Sequence, residues 1–290
     1  MHKLFTGATF FGVLILALFF FNNAISSQQL ASASASYTTA DFHIDENAKS
    51  DILELPVSAF AIFDVETGEI LVSKNSGKKL PIASVTKLVT AASAMDNLDL
   101  DLAAIITASD VLTEGKAGKL QAGEKYSQRE LLFPLLLESS NDAAVVFERV
   151  TDDGIISGMN SFVENLGATQ TSFADASGLS SRNISTAEDL ALVTTYLYEN
   201  QPHVFDMTKL PQYVGPYTGW VNNNPVIEKD NYLGGKHGFT HAAKLTIVSL
   251  FEEDFVAESR AIGYVVLGSS DLRADISALR QFTTNSISFE

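Results

Sequence analysis

The chain has 290 residues, with 35 acidic and 19 basic side chains, a formal net charge of −16 and no cysteine. This acidic balance argues against nucleic acid as a partner, because phosphate backbones are bound by clustered lysine and arginine. The lack of cysteine excludes disulfides, thiolate metal sites and a cysteine nucleophile. A hydrophobic share of 46% is typical of globular proteins, and the length suits one large domain or two small ones.

The first residues predict an export element. Residues 1–3 form a short basic start, and residues 4–21 are almost wholly apolar. A signal-peptide core usually has about 7–15 residues and a membrane span about 20, and this run lies between the two. We therefore expect residues 1–21 to be a cleaved signal peptide or an N-terminal membrane anchor, with the rest of the chain outside the cytoplasmic membrane. A buried helix of a soluble domain is the weaker alternative, since the segment is not amphipathic.

Residues 22–54 predict a flexible linker. They are rich in serine, alanine, asparagine and glutamine and then become acidic, so they offer little apolar surface to bury. The folded domain is expected over residues 55–290.

Strand patterns lie at both ends of this domain and helical patterns lie between them. Strands are predicted over residues 58–64, 69–72, 236–240, 244–251 and 260–267. Helices are predicted over residues 85–95, 127–137, 142–150, 159–166, 187–198 and 272–282, and a capping box begins at Ser127. The pattern predicts an α+β fold, in which an antiparallel sheet built from both chain ends is flanked by helices, with an all-helical subdomain alongside.

Ser84-Val85-Thr86-Lys87 has the form S-x-x-K, and so does the segment that begins at Ser76. Ser76 lies in a polar turn, whereas Ser84 opens an apolar helix on which Lys87 follows one turn later on the same face. There the amine can reach the hydroxyl, and a desolvated lysine can act as a base. The free N–H groups of a helix N-terminus favour an oxyanion. The alternative is a simple helix cap at Ser84 with Lys87 as a surface charge.

Ser139-Ser140-Asn141 has the form S-x-N, and so does the segment 181–183. It lies between two apolar helices, where Asn141 or Asp142 is a natural cap for the second helix. The residues of this motif therefore either cap a turn between helices or place a hydroxyl and an amide beside Ser84.

Lys236-His237-Gly238 has the form K-x-G, and so does the segment 116–118. Lys236 lies in a strand-like segment after two glycines, and Gly238 would let a substrate backbone lie close along that strand. The alternative is an ordinary edge strand with a solubilising lysine.

In this order the three motifs resemble those of the penicillin-recognising serine enzymes. Further segments resemble the low-molecular-mass D-alanyl-D-alanine carboxypeptidases, namely residues 81–88, 120–124, 166–168, 177–179, 185–190 and 234–236. The resemblance runs from about residue 58 to 268. It implies a β-lactamase/DD-peptidase-like fold and a cell-wall enzyme that removes the terminal D-alanine of peptidoglycan stem peptides. β-Lactams are its implied inhibitors, and it requires neither a metal nor another cofactor.

The resemblance also implies a role for each catalytic residue. Ser84 would attack the carbonyl between the two D-alanines and form an acyl-enzyme, and Lys87 would take its proton. Ser139 would relay a proton to the leaving D-alanine. Asn141 would hold Lys87 and the substrate amide.

Five further residues are implied to bind the substrate: Lys236, His237, Gly238, Phe239 and Arg273. Lys236 and Arg273 would contact the terminal carboxylate, and the N–H groups of Ser84 and Phe239 would form the oxyanion hole. The family usually has threonine in place of His237, whose imidazole could donate instead and adds positive charge below its ordinary pKa of about 6.5. Lys244, where glycine is common in the family, is a second departure.

Three other functions are compatible with the motifs. A DD-endopeptidase would use the same chemistry to open cross-links. A non-catalytic peptidoglycan-binding relative would keep the fold, which the intact motifs disfavour. A serine β-lactamase of class A would need an additional E-x-x-L-N segment, and the sequence contains none.

Overall fold

A computed structural model describes residues 42–115, 118–151 and 154–289. The predicted export segment at 1–21 and the linker before residue 42 lie outside these ranges. Among the described residues, no helix combines the length and the apolar character that crossing a membrane requires.

Most of the described strands are short, and the three longest follow one another between residues 232 and 269. They are β1 (Phe42–Ile44), β2 (Ala59–Asp64), β3 (Ile70–Lys74), β4 (Leu80–Pro81), β5 (Ala103–Ile105), β6 (Lys125–Ser127), β7 (Ile184–Ser185), β8 (Gln212–Val214), β9 (Gly219–Val221), β10 (Tyr232–Thr240), β11 (Lys244–Asp254), β12 (Ser259–Ser269) and β13 (Ile287–Phe289).

Most helices lie between β3 and β10 along the chain. They are α1 (Glu46–Leu53), α2 (Thr86–Asn97), α3 (Gln128–Phe133), α4 (Asn141–Val150), α5 (Ile155–Leu166), α6 (Ala187–Asn200), α7 (His203–Lys209) and α8 (Leu272–Ser286). Short 3₁₀ turns cover Ala83–Val85 and Asp110–Leu112, and a π-helical turn covers Pro134–Glu138. The predicted capping box is present, since Ser127 and Glu130 exchange side-chain and backbone hydrogen bonds at the start of α3.

The centre of the domain is a five-stranded antiparallel sheet in the order β10-β11-β12-β2-β3. Both chain ends contribute, which confirms the predicted α+β architecture. Alternate residues of β2 pack into two different hydrophobic cores, one on each face of the sheet. Ala59, Ala61 and Phe63 face the helical block α2–α6, and Phe60 and Ile62 face α8 on the other side of the sheet. Because both faces are covered, every residue of β2 is buried.

The predicted flexible linker over 22–54 is wrong for its last part, because residues 42–53 belong to the folded domain. Phe42 in β1 pairs with Phe289 in β13. Ile52 of α1 is buried in the same core as α8. The guanidinium of Arg260 lies 4.8 Å from the ring centre of Phe289 and 5.9 Å from that of Phe42, and it pairs with the buried Asp64. The partners of this segment in β13 and α8 are therefore more than 200 residues away along the chain.

Strand β10 lies at the edge of the sheet and packs against α7. Gly234 and Gly235 have φ values of +135° and +146°, which other residues rarely adopt. A Cβ on Gly234 would lie 2.8 Å from Thr208 Oγ1, and one on Gly235 would overlap the carbonyl of Val248. The two glycines therefore let the strand that carries Lys236 approach both its neighbours, and its far end reaches the 3₁₀ turn at Ser84.

Candidate active site

Ser84 lies in the 3₁₀ turn that begins α2, and Lys87 follows one turn later with its side chain fully buried. The Lys87 Nζ lies 3.0 Å from Ser84 Oγ, 2.9 Å from Asn141 Oδ1 and 2.5 Å from the carbonyl oxygen of Ser177. The oxygens of Asn141 and Ser177 can only accept hydrogen bonds. A neutral amine has two N–H donors and one lone pair, so it can donate to these two and turn its lone pair to the Ser84 hydroxyl.

Ser139 ends the π-helical turn in a left-handed conformation, with φ 64° and ψ 37°. The predicted cap of the next helix at Asn141 or Asp142 is wrong, because the Ser140 hydroxyl accepts the N–H of Ala143 at 3.0 Å. Asn141 is thus available to the site. Its Oδ1 accepts from Lys87, and its Nδ2 donates to the carbonyl of Glu114 at 2.7 Å.

The carbonyl of Ser177 is held in place by Asp175. The Asp175 carboxylate accepts N–H groups from Ser177 at 2.8 Å, Gly178 at 2.6 Å and Ser180 at 2.7 Å. Residue-type motifs could not reveal this partner of Lys87, because every residue has a backbone carbonyl. The sequence identified the segment 177–179 only through its resemblance to the family.

Asn183, which ends the second S-x-N segment, has a structural role. It is fully buried and donates to Thr86 Oγ1 at 3.1 Å and to the carbonyl of Asp175 at 2.8 Å. Ser76, which begins the second S-x-x-K segment, lies in the turn after β3, where its carbonyl accepts the N–H of Glu188. Lys116 of the second K-x-G segment lies outside the described residues.

A cleft of about 240 Å³ opens above Ser84. Its lining comes from the Ser84 turn, the Ser139 turn, two loops and the end of β10, and comprises Ser84, Gly115, Ser139, Asn141, Gly178, Leu179, His237, Gly238, Phe239 and Thr240. Two large apolar side chains are exposed in it, Leu179 at 43% and Phe239 at 58%. The cleft thus combines hydroxyl and amide groups with apolar surface that a substrate can cover.

Two glycines let neighbouring backbone approach the backbone of Ser84. A Cβ on Gly238 would clash with the Ser84 nitrogen and lie 2.9 Å from the Ala83 Cβ. One on Gly178, whose φ is +85°, would overlap the carbonyl of Ala83. The hydroxyl of Thr246 on β11 donates to the carbonyl of Ile82 at 2.8 Å, which ties this turn to the sheet.

Two of the predicted binding residues do not line the cleft. Lys236 is 1% exposed, and its Nζ donates to the carbonyl of His237 at 2.8 Å. Arg273 is exposed on the first turn of α8, which packs on the sheet face opposite the helices that follow Ser84. The structure therefore brings Ser84 and most of the other motif residues together. Helix α8 begins just after Ser269, whose partner Leu245 also pairs with Phe239, so contact of Arg273 with a bound carboxylate stays a prediction.

A serine whose hydroxyl contacts a buried lysine, beside a second serine, an asparagine and an edge strand, defines a serine acyl-transfer site of the penicillin-recognising class. The profile of peptidase family S11, D-alanyl-D-alanine carboxypeptidase, matches residues 46–270. The chain belongs to this family of serine hydrolases, which confirms the resemblance seen in the sequence.

Individual relatives agree with this assignment. The D-alanyl-D-alanine carboxypeptidase DacB2 of Mycobacterium tuberculosis is 29% identical over 219 residues, which cover 72% of this chain and 75% of the relative. A D-alanyl-D-alanine endopeptidase of Pseudomonas aeruginosa is 31% identical, over 66% of this chain and 65% of its own length. The structure of penicillin-binding protein D2 of Listeria monocytogenes, bound to cefotaxime, has a TM-score of 0.68 and 26% identity over 78% of this chain and 95% of that one.

The close approach of Gly238 to Ser84 generates a first prediction. Gly238→Ala should lower the rate of Ser84 acylation by about a hundredfold, because the new methyl group pushes β10 away from the nucleophile and small displacements of reacting groups cost that much. Gly219→Ala is the matched control, since its Cβ would have no neighbour nearer than 3.6 Å. Acylation kinetics with a fluorescent penicillin measure both. Equal rates for the two variants would contradict the prediction.

Proposed function

We propose that the protein is a serine-type D-Ala-D-Ala carboxypeptidase that acts through an acyl-enzyme on Ser84. The observation that carries the proposal is the 3.0 Å contact between Ser84 Oγ and the buried amine of Lys87. A neutral amine can donate to the acceptors on Asn141 and Ser177 and direct its lone pair toward the hydroxyl. Lys87 is therefore the base that takes the Ser84 proton as the oxygen attacks.

In the first half of the reaction, Ser84 Oγ bonds to the carbonyl carbon between the two D-alanines. The N–H groups of Ser84 and Phe239 stabilise the negative oxygen that forms. Ser139 passes the proton from Lys87 to the nitrogen of the leaving D-alanine, and the peptide bond breaks. In the second half, Lys87 takes a proton from water as the water oxygen attacks the ester carbonyl. Lys87 returns this proton to Ser84 Oγ as the ester bond breaks, and the shortened stem peptide leaves.

Binding of the substrate rests on β10 and its surroundings. As an edge strand, β10 offers backbone N–H and C=O groups along which an extended peptide can lie. Gly238 keeps this path open beside Ser84. His237, which lines the cleft, supplies positive charge for the terminal carboxylate of the stem peptide when protonated, and the amine of Lys236 lies buried behind it, where it donates to the carbonyl of His237. Arg273 stays a predicted member of this group, because its helix begins just after Ser269 at the same end of the sheet as Phe239.

A DD-endopeptidase is the second candidate, because the Pseudomonas aeruginosa relative carries that name. The two activities share Ser84 and Lys87 and differ in the leaving group, which is free D-alanine or the amine of a neighbouring stem. Purified protein incubated with a pentapeptide and with a cross-linked dimer distinguishes them by the product that forms.

The nucleophile assignment is tested by labelling with a fluorescent penicillin, since β-lactams acylate the same serine. Ser84→Ala should abolish covalent labelling and release of D-alanine from a pentapeptide, and Lys87→Ala should slow acylation by several orders of magnitude because the hydroxyl loses its base. Ser76→Ala serves as the control and should label normally. Labelling that persists in Ser84→Ala would overturn the assignment.

The predicted export segment places the catalytic domain outside the cytoplasmic membrane, where peptidoglycan lies. A reporter that is active only after export should be active when fused after residue 50, and deletion of residues 4–21 should abolish this activity. The mature N-terminus, read by mass spectrometry, then distinguishes a cleaved signal peptide from an anchor that holds the enzyme at the membrane. Reporter activity that survives the deletion would contradict the proposal.

His237 lines the cleft beside Lys236, and we expect it to hold the substrate carboxylate when protonated. A charge-assisted hydrogen bond contributes about 1.5–3 kcal/mol, so KM should fall by about tenfold or more as the pH drops through about 6.5. His237→Thr should remove this fall and keep activity at pH 7.5. His241→Thr, in the exposed hairpin turn two residues beyond Phe239, is the matched control. Identical pH profiles of KM in wild type and His237→Thr would disprove the role.

A further inference from the structure

Asp142 is a buried carboxyl group directly next to the catalytic amide. It lies in the first turn of α4, its side chain is fully buried, and neither of its oxygens has a hydrogen-bond partner. Its neighbour in that turn is Asn141, which accepts from Lys87 at 2.9 Å and donates to the carbonyl of Glu114 at 2.7 Å. A buried polar group without partners is costly, and an ionised one is far more so.

A second carboxyl group, Asp110, lies close to Asp142. Asp110 is 1% exposed and pairs with Arg149 through bonds of 3.0 Å and 2.8 Å. Burial raises the pKa of Asp110, but the bonds from Arg149 and Thr107 outweigh it and hold this pKa below its ordinary value. Burial is the main cause that raises the pKa of Asp142 to about 6, and the charge of Asp110 adds to it. The nearby Thr113 hydroxyl lowers this pKa by less than burial raises it, and it donates to the carbonyl of Asp110 at 3.2 Å.

Other ionisable groups lie on α4 and on the elements packed against it. They are Glu148 and Arg149 on α4, Lys87 and Asp96 on α2, Arg129 and Glu130 on α3, Glu138 on the π-helical turn, Asp110 on its 3₁₀ turn and Glu164 on α5. Among them Asp110 is the charge that acts on the pKa of Asp142. The guanidinium of Arg149 is engaged by both oxygens of Asp110, so this cation is already paired.

We infer that Asp142 is a positioning residue for Asn141, and that its neutral carboxyl group is the form that fits the arrangement around Lys87. Once ionised, the carboxylate needs water or donors that its buried position lacks, so the first turn of α4 has to shift. Asn141 belongs to that turn and shifts with it, which loosens its contact with Lys87. The inference rests on the proposed acylation of Ser84.

The same ionisation affects stability, with a sign fixed by the direction of the pKa shift. The pKa of Asp142 is raised on folding from 3.8 to about 6, so the folded state favours the neutral group. The stabilisation is fully present below pH 3.8 and is lost as the pH rises through about 6. Loss of this stabilisation lowers the folding equilibrium constant by up to roughly a hundredfold.

The test compares the full chain with Asp142→Asn, which keeps the shape and stays neutral. The matched control is Asp275→Asn, since Asp275 is also a buried acid in the first turn of a helix with a raised pKa, but belongs to α8. Acylation by a fluorescent penicillin is measured from pH 4.5 to 9. The ratio of the Asp142→Asn rate to the wild-type rate should be near one below pH 5 and rise about threefold to tenfold by pH 8. The ratio for Asp275→Asn should stay flat.

A ratio for Asp142→Asn that is flat, or below one at every pH, would overturn the inference. A higher melting temperature above pH 6 without any change in this ratio would also overturn it, because a purely structural role gives that result. Wild type that fails to label at any pH would instead contradict the proposed function.

If Asp142→Asn does not fold, hydrogen exchange of residues 141–146 in wild type replaces the acylation comparison as the test. Corrected for intrinsic rates, protection there should fall as the pH rises through about 6, and unchanged protection would refute the inference.

Discussion

The amine of Lys87 is shut away from water, and a buried amine is tolerated only where its hydrogen-bonding groups are matched. Its three oxygen partners come from Ser84, Asn141 and Ser177, on the turn before α2, the first turn of α4 and the loop before β7. These three segments are far apart in sequence. The requirement to satisfy one nitrogen therefore fixes how the helical block is assembled, and the geometry needed for acylation follows from it.

The site is also a place where the backbone is held in unfavourable conformations. Ala83 has a φ of 48° and Ser139 a φ of 64°, on either side of the cleft. Such conformations cost about 1–3 kcal/mol each and persist only where the surroundings determine them. Here the surroundings are specific: Gly178 and Gly238 leave no room for other positions of the Ser84 turn, and Thr246 bonds to the carbonyl before Ala83. These contacts hold the Ser84 turn in its strained conformation.

Sequence reasoning succeeded where the signal is local. The capping box at Ser127 is contained within four residues, and the long strands have continuous apolar patterns because both faces of the sheet are covered. It failed where a partner lies far along the chain, as for β1, or where adjacent residues compete for one role, as when Ser140 caps the helix that Asn141 begins. The role of Arg273 stays a prediction, because its position after a strand does not tell where its side chain points. Lys244 has a φ of 57°, which accounts in physical terms for the glycine common at that position in the family.

The pairing of β1 with β13 puts residues 42 and 289 side by side. They lie at the end of the sheet where Arg260 meets Asp64, while Gly238 pairs with Thr246 toward the other end. At about 3.3 Å per residue, the stretch of β11 from Thr246 to Asp254 measures about 26 Å. A short loop could join the two ends of the domain, and new termini opened in the exposed turn between β8 and β9 would give a circular permutant with the same sheet. For the same reason, attaching the protein to a solid support through either end leaves the cleft at the distal end of the sheet.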